Sequence, residues 1–490
     1  MFANMSCYGL YSYENSIIVE ILEIKIGVSK MQLIIKNGTI ATADEIFEAD
    51  IGIEGEKIVR ISKNLQSTGA KVIDAKNMIV FPGGIDVHVH NNYFFCGTYS
   101  EDWDTGTAGA ACGGTTCCID YAIQKKGSTL KEAVEDKIKD AKDKVCIDYS
   151  LHLGITDWNE KTKEELNYYS RNGIPSFKMW LVYRKEGLMA DDGVVFSALE
   201  ETKKLGALLM LHCESAFVLD MLIERYHTKG LMKKYGAYCH TLSRPCFTEY
   251  EAIQRAITWA KVTDGRLYIV HVSTGKGTEI INQAKKEGVK VWAETCPHYL
   301  LLTDDVFRKK NGHYYATCPQ VKKDHDRIGL IEGIKSGAIE NISTDTCTFS
   351  TKQKDMWEGD FTKIPYGLPG METRIPIMFS FLVGENKLSI KKFVSLVSTN
   401  PSKLFGLYPQ KGTIEVGSDA DIVIFDPNKE VIIDYKNLIT RCDWNPYQNM
   451  KIRGYPYITI LRGNIIAKEG KFVGKYGWGQ FVKRKSGGVI

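Results

Sequence analysis

The central part of the chain, about residues 81–400, alternates apolar runs with amphipathic helical stretches, and this alternation restricts the possible folds most. Eight runs are typical of buried strands: VFPGGIDVHVH, GGTTCCIDYA, CIDYSLHLGI, IPSFKMWLVY, ALLMLHCE, RLYIVHVS, VKVWAETCP and IENISTDTC. Eight alternations in roughly 300 residues predict an α/β fold, a (β/α)8 barrel. An open doubly wound sheet is the alternative, but the G-x-G-x-x-G loop expected after its first strand is absent. Capping boxes at Thr129, Thr162 and Thr248 predict three helix starts.

Both ends of the chain have strand patterns without strong helices. Residues 31–80 contain LIIKNGTI, DIGIEGEKIVRIS and KVIDAKNMIV, and residues 407–470 have a similar pattern. We therefore predict one composite β-sandwich built from both chain ends beside the barrel. The predicted organisation is an atypical N-terminal extension (1–30), an N-terminal sandwich segment (31–81), the metal-dependent barrel (82–406), a C-terminal sandwich segment (407–470) and a C-terminal tail (471–490).

The first thirty residues do not fit the pattern of the rest. Their weakly apolar stretch carries Glu20, Glu23 and Lys25, and the basic start and cleavage site of a signal peptide are missing. Met31 then opens MQLIIKNGTI, which is a convincing strand. The hypothesis is that translation starts at Met31, or that residues 1–30 are a loosely held extension.

Composition argues against several classes of protein. The 490 residues carry a net charge of +4 that is spread along the chain, so neither nucleic acid nor an anionic membrane is expected as a partner. No apolar run reaches the ~18 residues of a membrane span. Thirteen cysteines without a C-x-x-C pair indicate buried free thiols in a reducing compartment, which predicts a cytoplasmic location.

Residues suited to metal binding stand at the ends of the predicted strands. His88 and His90 lie two residues apart on one strand and therefore point to the same side. Six candidates stand at or near strand ends: His88, His90, Lys178, His212, His271 and Asp345. The C-terminal strand ends of a (β/α)8 barrel meet on one rim, where active sites assemble. Four imidazoles with one carboxylate favour two divalent ions, zinc first, with manganese or iron as alternatives.

Each candidate also has an ordinary structural explanation. A single histidine such as His212 or His271 is more often a hydrogen-bonded core residue than a ligand. Lys178 alone could be ion-paired, and Asp345 alone could cap the next helix. Their joint placement on one rim favours the metal site. We interpret the six other histidines as structural or surface residues: His152, His227, His240, His298, His313 and His325.

Together these residues resemble the cyclic amidohydrolases of the dihydropyrimidinase/hydantoinase family, in particular the bacterial D-hydantoinases and phenylhydantoinases. The resemblance rests on FPGGIDVHVH, IPSFKMWLVY, LHCES, LYIVHVS, ETCPHYLLL, STDTCTFS, GDFTKIPYGLPGMETR and NPSKLFGLYPQKGTIEVGSDADIVIFDP. It runs from Met31 nearly to the C terminus. It implies hydrolysis of the cyclic amide bond of hydantoins or dihydropyrimidines to N-carbamoyl amino acids.

By this resemblance Lys178 is an N6-carboxylysine whose carbamate bridges two metal ions. The first ion is bound by the carbamate and three residues: His88, His90 and Asp345. The second ion is bound by the carbamate and two residues: His212 and His271. A hydroxide that bridges the metals attacks the ring carbonyl, and Asp345 passes the proton to the leaving nitrogen. Tyr183 resembles the tyrosine that donates a hydrogen bond to the developing oxyanion.

The resemblance also places the substrate. Cys318 and Tyr366 match positions that hold the ring amide, largely through main-chain groups. This chain departs from the family there, because Cys318-Pro319-Gln320 stands where Ser-Pro-Pro is common and Tyr366 stands where Asn is common. Ser215 and Thr346 replace a usual Asn and a usual His. The metal set is intact, and the bulk of Tyr366 leaves the ring size open.

Two loops, 91–103 and 183–192, correspond to segments that shape the pocket for the ring's exocyclic substituent in relatives. Within the first loop, Tyr93, Phe94 and Phe95 either line an apolar pocket for a bulky 5-substituent or pack the loop onto the barrel. The sequence does not choose between these two arrangements.

Other functions stay open at this point. An allantoinase or dihydroorotase acts on substrates with a ureido or carboxylate group, for which Arg184 or Arg374 could supply the arginine. A non-catalytic scaffold of the response-mediator type would have lost metal ligands, whereas this chain keeps all six. The substrate expected from the resemblance is a small cyclic ureide or imide. Relatives form tetramers, so a homotetramer or dimer is expected, with the tail YGWGQFVKRKSGG as a candidate contact.

Overall fold

The computed structural model describes residues 31–66 and 69–490, so the predicted extension 1–30 lies outside the described residues. The N-terminal sandwich segment forms seven short strands: β1 (Leu33–Lys36), β2 (Thr39–Ala41), β3 (Ile46–Glu48), β4 (Asp50–Glu54), β5 (Lys57–Ser62), β6 (Lys71–Asp74) and β7 (Ile79–Pro82). In β5, Ile58 is buried whereas Lys57, Arg60 and Ser62 are exposed, as in a strand at the edge of a sheet.

Eight parallel strands form the centre of the molecule, as predicted. The strands from β8 onward, with the hairpin β9–β10 after β8, are β8 (Gly84–Val89), β9 (Phe94–Phe95), β10 (Thr98–Tyr99), β11 (Thr115–Ile123), β12 (Asp148–Gly154), β13 (Ser176–Trp180), β14 (Leu208–His212), β15 (Leu267–Ile269), β16 (Val291–Thr295) and β17 (Asn341–Ile342). Neighbours in sequence pair from β8 and β11 through to β17. The His90 N–H donates to the Thr346 carbonyl at 2.8 Å, which brings the last strand back to the first. The sheet is therefore a nearly closed (β/α)8 barrel, and the open sheet is excluded.

Helices cover the outside of the barrel and explain why its strands are almost entirely buried. They are α1 (Trp103–Cys112), α2 (Leu130–Ala141), α3 (Glu160–Arg171), α4 (Asp192–Lys204), α5 (Ala216–Tyr226), α6 (Lys229–Tyr235), α7 (Tyr238–Leu242), α8 (Phe247–Thr263), α9 (Gly275–Lys286), α10 (Pro297–Leu301), α11 (Asp324–Ser336), α12 (Thr351–Lys354), α13 (Arg374–Met378), α14 (Ile390–Val394) and α15 (Asn400–Leu404). Two π-helical segments, Phe379–Gly384 and Ser395–Thr399, continue α13 and α14.

One of the three predicted capping boxes is present. Thr129 and Glu132 bond to each other's backbone at the start of α2. The other two predictions were wrong, because each helix begins earlier. The side chain of Asn159 caps α3 before Thr162 is reached, and α8 begins one residue before Thr248. A better capping residue three positions upstream is one reason why a Thr-x-x-Glu pattern can lie inside a helix.

The second β-rich end completes a sandwich, as the strand patterns at both ends predict. Its strands are β18 (Ile422–Ile432), β19 (Lys451–Leu461), β20 (Asn464–Lys468) and β21 (Lys471–Phe472). They form one seven-stranded sheet with β7, β2 and β3, in which β18 pairs antiparallel with β7. A four-stranded sheet, β5-β4-β1-β6, packs against it through buried isoleucines such as Ile51 and Ile460.

A buried ionic cluster joins the sandwich to the underside of the barrel. The Lys411 ammonium lies 2.7 Å from carboxylate oxygens of both Asp148, at the start of β12, and Asp421, just before β18. The Arg462 guanidinium bonds to the other oxygen of Asp148 at 3.2 Å. Burial by itself lowers the pKa of Lys411, but the two aspartates outweigh it and keep the ammonium charged. The lysine therefore neutralises a group of carboxylates drawn from two regions of the fold.

The C-terminal tail packs beneath the barrel. The Val482 N–H donates to the Tyr149 carbonyl at 2.7 Å, and the Arg484 guanidinium bonds to the hydroxyls of Ser150 and Ser176, each at 2.8 Å. Arg484 is buried at the N-terminal ends of the strands, opposite the rim on which the candidate residues lie. In the described chain this tail thus contributes to its own barrel.

Two further features concern the whole described chain. Twelve described cysteines are free thiols, and most of them are buried, as their number and spacing predict. Within residues 31–66 and 69–490, none of the helices has both the length and the apolar character needed to cross a membrane.

Candidate metal centre

The six predicted residues line one cavity at the C-terminal ends of the barrel strands: His88, His90, Lys178, His212, His271 and Asp345. His88 lies on β8 and His90 directly follows that strand, while Lys178 lies on β13. His212 is the last residue of β14, and the two others follow β15 and β17 by a few residues. The barrel thus brings together residues that are up to 257 positions apart in sequence, because all parallel strands end on the same rim.

Asp345 lies between the two histidines of β8. Its Oδ1 is 3.1 Å from His88 Nε2 and 3.2 Å from His90 Nε2. Burial by itself raises the pKa of the Asp345 carboxyl, but the two histidines outweigh burial and hold that pKa below its usual range. The carboxylate is therefore ionised at neutral pH, as a metal ligand or a proton acceptor must be.

Backbone strain is concentrated at this rim. Asp345, His271 and Tyr183 have φ angles of 50°, 38° and 63°, in the left-handed region that non-glycine residues seldom adopt. Residues held in such conformations are often found at functional sites, where the surrounding structure offsets the strain. In these backbone conformations, three side chains that follow three different strands all line one cavity.

Two carboxylates orient the histidines from behind. Glu294 on β16 bonds to His88 Nδ1 and also accepts the Tyr268 hydroxyl at 2.9 Å. Glu214 accepts from His212 Nε2 at 2.8 Å, which leaves His212 Nδ1 for the cavity. Carboxylates in this position commonly fix the tautomer and ring orientation of a metal-binding histidine. Sequence analysis missed both residues, although Glu214 follows His212 by two positions.

Burial favours the neutral form of three of the four imidazoles in this cavity. Burial lowers the pKa of His90, His212 and His271, and in each case it is the largest cause of the shift. The Nδ1 atoms of His90 and His271 are buried and have no hydrogen-bond partner among the described residues. Neutral imidazoles with unpartnered ring nitrogens are in the form that binds metal.

Lys178 is buried in the cavity without a hydrogen-bond partner for its amine in the part of the chain that the structure describes. Its side chain is 1% exposed, and its Nζ has no hydrogen-bond partner among the described residues. Burial lowers the pKa of this lysine to about 7, against the opposing effect of Asp345 and Glu294. The amine is therefore partly uncharged at neutral pH, and an orphaned buried donor such as this one indicates a missing partner.

Tyr121 packs the two histidines of β8 from one side. Its ring is stacked on His90, with centroids 4.9 Å apart at 19°, and it also lies 4.9 Å from the His88 ring. The Lys178 Nζ lies 5.8 Å from the centre of the same ring. Sequence analysis missed this residue. Its place among the inward-facing apolar residues of β11 was the available signal, because Tyr121 is the one polar side chain in Cys117-x-Ile119-x-Tyr121.

The three predicted substrate contacts also reach this cavity. Tyr183, Cys318 and Tyr366 all line it, together with Thr317 and Gly367. Two chain segments, 316–318 and 365–367, meet there, and we call them the two-segment wall. The Gly367 N–H donates to the Ala316 carbonyl at 2.9 Å and joins the two segments.

The ring of Tyr366 is held from behind. It packs on His240 in a tilted arrangement, with centroids 4.8 Å apart, and the Arg244 guanidinium lies 5.6 Å from its centre. Arg244 also bonds to Glu214 at 3.2 Å. The tyrosine therefore connects the two-segment wall to the carboxylate that orients His212.

The aromatic loop after β8 divides between the cavity and solvent. Tyr93 and Phe95 line the cavity, and Phe95 packs on Tyr366 with centroids 5.7 Å apart. Phe94 is 56% exposed and packs on Tyr99 across the β9–β10 hairpin. Of the two arrangements that the sequence left open, Phe94 takes the one outside the cavity, because neighbouring residues on a strand point to opposite faces.

The two candidate arginines do not enter the cavity. Arg184 lies on the surface and pairs with Asp220, while Arg374 is fully buried and donates to the carbonyls of Ile85 and Ile342. Among the described lining residues there is no arginine. The group that an allantoinase or dihydroorotase would need to bind a carboxylate is not supplied by either residue.

The donor set fits divalent metal ions. Four imidazoles, one carboxylate and an orphaned lysine amine share a buried cavity. His88, His271 and Asp345 each place one ligand atom within 4.8 Å of the others. Histidine nitrogen and carboxylate oxygen are the ligands of catalytic zinc sites, and they also suit manganese and iron.

Comparison with known proteins agrees with this geometry. The amidohydrolase family model matches residues 79–466. The D-hydantoinase of Geobacillus stearothermophilus is 42% identical over 469 residues, covering 94% of this chain and 98% of that protein. The dihydropyrimidinase of Rattus norvegicus is 36% identical over 465 residues, covering 93% of this chain and 89% of that protein. A crystal structure of a D-hydantoinase has a TM-score of 0.91 at 41% identity, covering 93% of this chain and 99% of that one.

Proposed function

The chain belongs to the amidohydrolase family, and from this premise we propose that it hydrolyses the cyclic amide bond of hydantoins and dihydropyrimidines to give N-carbamoyl amino acids. Its relatives are hydantoinases and dihydropyrimidinases over nearly their whole length. The observation that carries the proposal is the convergence of four imidazoles, one carboxylate and an unpartnered lysine on one buried cavity.

Two divalent ions would be held by the rim residues and by a carboxylated Lys178. The residues for the first ion are His88, His90 and Asp345. The residues for the second ion are His212 and His271. When bound, such ions polarise a carbonyl group and lower the pKa of water. Zinc is the first candidate and manganese or iron the alternatives, because all of them accept this mixture of nitrogen and oxygen ligands.

Carboxylation of Lys178 would convert its buried amine, which has no hydrogen-bond partner among the described residues, into a group that binds metal. An uncharged amine can add carbon dioxide and lose a proton, which converts it into an anionic carbamate. A pKa of about 7 leaves much of the lysine in the uncharged form at neutral pH. The carbamate would supply the negative charge that two dications require, since Asp345 is the single carboxylate among the six residues.

Asp345 is the proton carrier of the proposed reaction. Its carboxylate is ionised, so it can accept a proton from the attacking water. It then returns that proton to the ring nitrogen as the amide bond breaks. The hydrogen-bonding distances to His88 and His90 hold the carboxylate in place during both transfers.

Tyr183 is the proposed donor to the oxygen of the ring carbonyl. Burial raises the pKa of its hydroxyl well above the usual value, so the group stays protonated and can donate. Its left-handed backbone places it on the cavity, 5.4 Å from the His212 ring between centroids. A fixed donor of this kind stabilises the charge that develops on oxygen in the transition state.

The two-segment wall would hold the amide of the ring, mainly through peptide groups near Cys318 and Tyr366. Tyr93, Phe95 and Leu188 also line the cavity and offer an apolar surface for an exocyclic substituent. We therefore expect 5-substituted hydantoins with apolar groups to be better substrates than unsubstituted hydantoin.

Assembly and location follow from the same proposal. We propose a homotetramer, or a dimer, in the cytoplasm, and the buried free thiols support a reducing compartment. Light scattering on purified protein would measure the assembly, and a monomeric mass would contradict it.

The experiment that tests the function combines metal analysis with a substrate panel. We expect about two metal ions per chain, the added mass of one carbon dioxide under native conditions, and hydrolysis of 5-substituted hydantoins that chelators abolish. One metal or none after purification without chelators would contradict the binuclear site. Retained metal without hydrolysis of any hydantoin or dihydropyrimidine would contradict the substrate class.

A further inference from the structure

Lys354 is a second buried lysine near the cavity, and the proposed chemistry does not use it. It lies at the end of α12 and is 0% exposed. None of the described carboxylates lies within 4.0 Å of its Nζ; the neighbouring Asp355 pairs with His313 instead. A buried ammonium without a carboxylate is costly unless other groups replace its hydration.

Three backbone carbonyls replace that hydration. The Lys354 Nζ donates to the carbonyls of Pro365 at 2.6 Å and Gly367 at 2.7 Å, and it lies 3.4 Å from the carbonyl of Ala316. These carbonyls belong to the two segments of the two-segment wall. The amino group of Lys354 therefore occupies the point behind the cavity where both segments meet.

Besides Lys354, the wall is held by His240, whose Nε2 bonds to the Thr317 carbonyl at 2.8 Å and whose ring packs on Tyr366. The segments of the wall are joined by the bond from the Gly367 N–H to the Ala316 carbonyl, and that carbonyl is one of the three that face Lys354. At Gly367 the backbone approaches the Cys347 carbonyl so closely that a Cβ atom would lie 2.2 Å from it. Lys354 draws carbonyls of both segments to one point, so the position of the two segments relative to each other depends on its amino group.

We propose that Lys354 is a positioning residue for substrate binding, which sets the two-segment wall against the ring amide. The inference rests on the proposed function, because that function assigns the ring amide to this wall. Lys354 does not contact the six rim residues, so its removal changes the binding of the ring and leaves the metal centre in place.

The test compares Lys354→Met with a matched control. Lys285 also donates to two backbone carbonyls, those of Gly337 at 2.8 Å and Ala338 at 3.1 Å, and pairs with Glu340, but these groups precede β17 at the end of the strand that lies away from the rim. For Lys354→Met we expect KM for a 5-substituted hydantoin to rise about tenfold or more with kcat within about threefold and metal content unchanged. For Lys285→Met we expect an unchanged KM.

Hydrogen exchange supplies a readout that does not depend on activity. The Gly367 amide should exchange about tenfold faster in Lys354→Met than in the unsubstituted enzyme, and it should be unaffected by Lys285→Met. If Lys354→Met does not fold, Lys354→Gln and Lys354→Arg are used, and Arg is expected to restore part of the KM. An unchanged KM and unchanged exchange in a folded variant would overturn the role of Lys354. If the unsubstituted enzyme does not hydrolyse hydantoins, the proposed function is overturned. The exchange rate of the Gly367 amide would still test whether Lys354 positions the two-segment wall.

Discussion

Lys178 and Asp345 line the same cavity, yet the protein drives them towards different charge states. Burial lowers the pKa of Lys178 to about 7 and so favours the uncharged amine. Around Asp345 the two histidines of β8 outweigh burial, so the carboxylate stays ionised. Burial thereby suits Lys178 to carboxylation. The neighbouring histidines suit Asp345 to proton transfer.

His212 gives a direct test of the metal centre at the residue scale. We expect His212→Ala to fold, because Glu214 keeps its bond to Arg244 at 3.2 Å when the imidazole is lost. Metal content should fall, and activity should drop by at least about 100-fold. Elemental analysis, circular dichroism and hydantoin hydrolysis measure these effects. The control is His325→Ala, an exposed histidine that does not line the cavity, which should match the unsubstituted enzyme. Misfolding of His212→Ala would mean that the histidine is chiefly structural.

Tyr366 tests the range of rings that the cavity accepts. Its ring stands where relatives commonly have the much smaller Asn, and it packs on Phe95 and His240. We expect Tyr366→Asn to raise the ratio of kcat/KM for six-membered dihydropyrimidines over hydantoins by about tenfold. The exposed Tyr168→Asn is the control for a loss of tyrosine elsewhere. An unchanged ratio would show that the tyrosine does not limit ring size.

At the scale of elements, the strands were predictable and the loops were not. Eight apolar runs predicted eight parallel strands, because a strand buried on both faces leaves a continuous apolar signature in sequence. The hairpin β9–β10 was not predicted within residues 91–103. Its two-residue strands are too short for a periodic pattern, and the hairpin alone decides that Phe95 faces the cavity and Phe94 faces solvent.

The buried Glu372, which binds the segment after β18, makes the stability of the folded protein depend on pH. Its carboxyl accepts the N–H groups of Ile439, at 2.9 Å, and Thr440, and burial raises its pKa to about 8. Between its ordinary pKa of 4.5 and about 8 the folded state keeps a proton that the unfolded state has lost, so stability falls as pH rises through this window.

A substitution isolates this contribution. Glu372→Gln replaces the ionisable carboxyl group with an amide that cannot ionise but keeps an oxygen for the two N–H groups. We therefore expect the melting temperature of this variant to exceed that of the unsubstituted protein at pH 8.5 by about 2–3 °C. At pH 5 the difference should shrink towards zero. The exposed Glu164→Gln is the control. A difference that does not vary with pH would contradict a raised pKa at Glu372.

At the scale of the whole molecule, Lys411 connects the barrel to the sandwich. Its replacement by Met leaves Asp421 buried without its cation and Asp148 with Arg462 alone, and breaking a buried pair in this way typically costs about 3–5 kcal/mol. Thermal unfolding should therefore show a large loss for Lys411→Met. Lys57 is the matched control, since it pairs with the neighbouring Asp419 at 2.7 Å but is 46% exposed, and Lys57→Met should cost less than about 1 kcal/mol. Equal losses of stability in the two variants would show that the buried ion pairs of Lys411 stabilise the protein no more than the exposed pair of Lys57 does.

The amino-acid sequence by itself determined the eight-stranded barrel, the β-rich ends and the set of six rim candidates. These follow from local patterns: apolar runs specify buried strands, and in a parallel barrel all strand ends meet on one rim. The tertiary structure decided what depends on residues far apart in sequence. It set the bond between Glu294 and His88, the packing of Tyr121, and the capture of three wall carbonyls by Lys354. Such contacts cannot be read from local patterns, because their partners become neighbours only after the barrel closes.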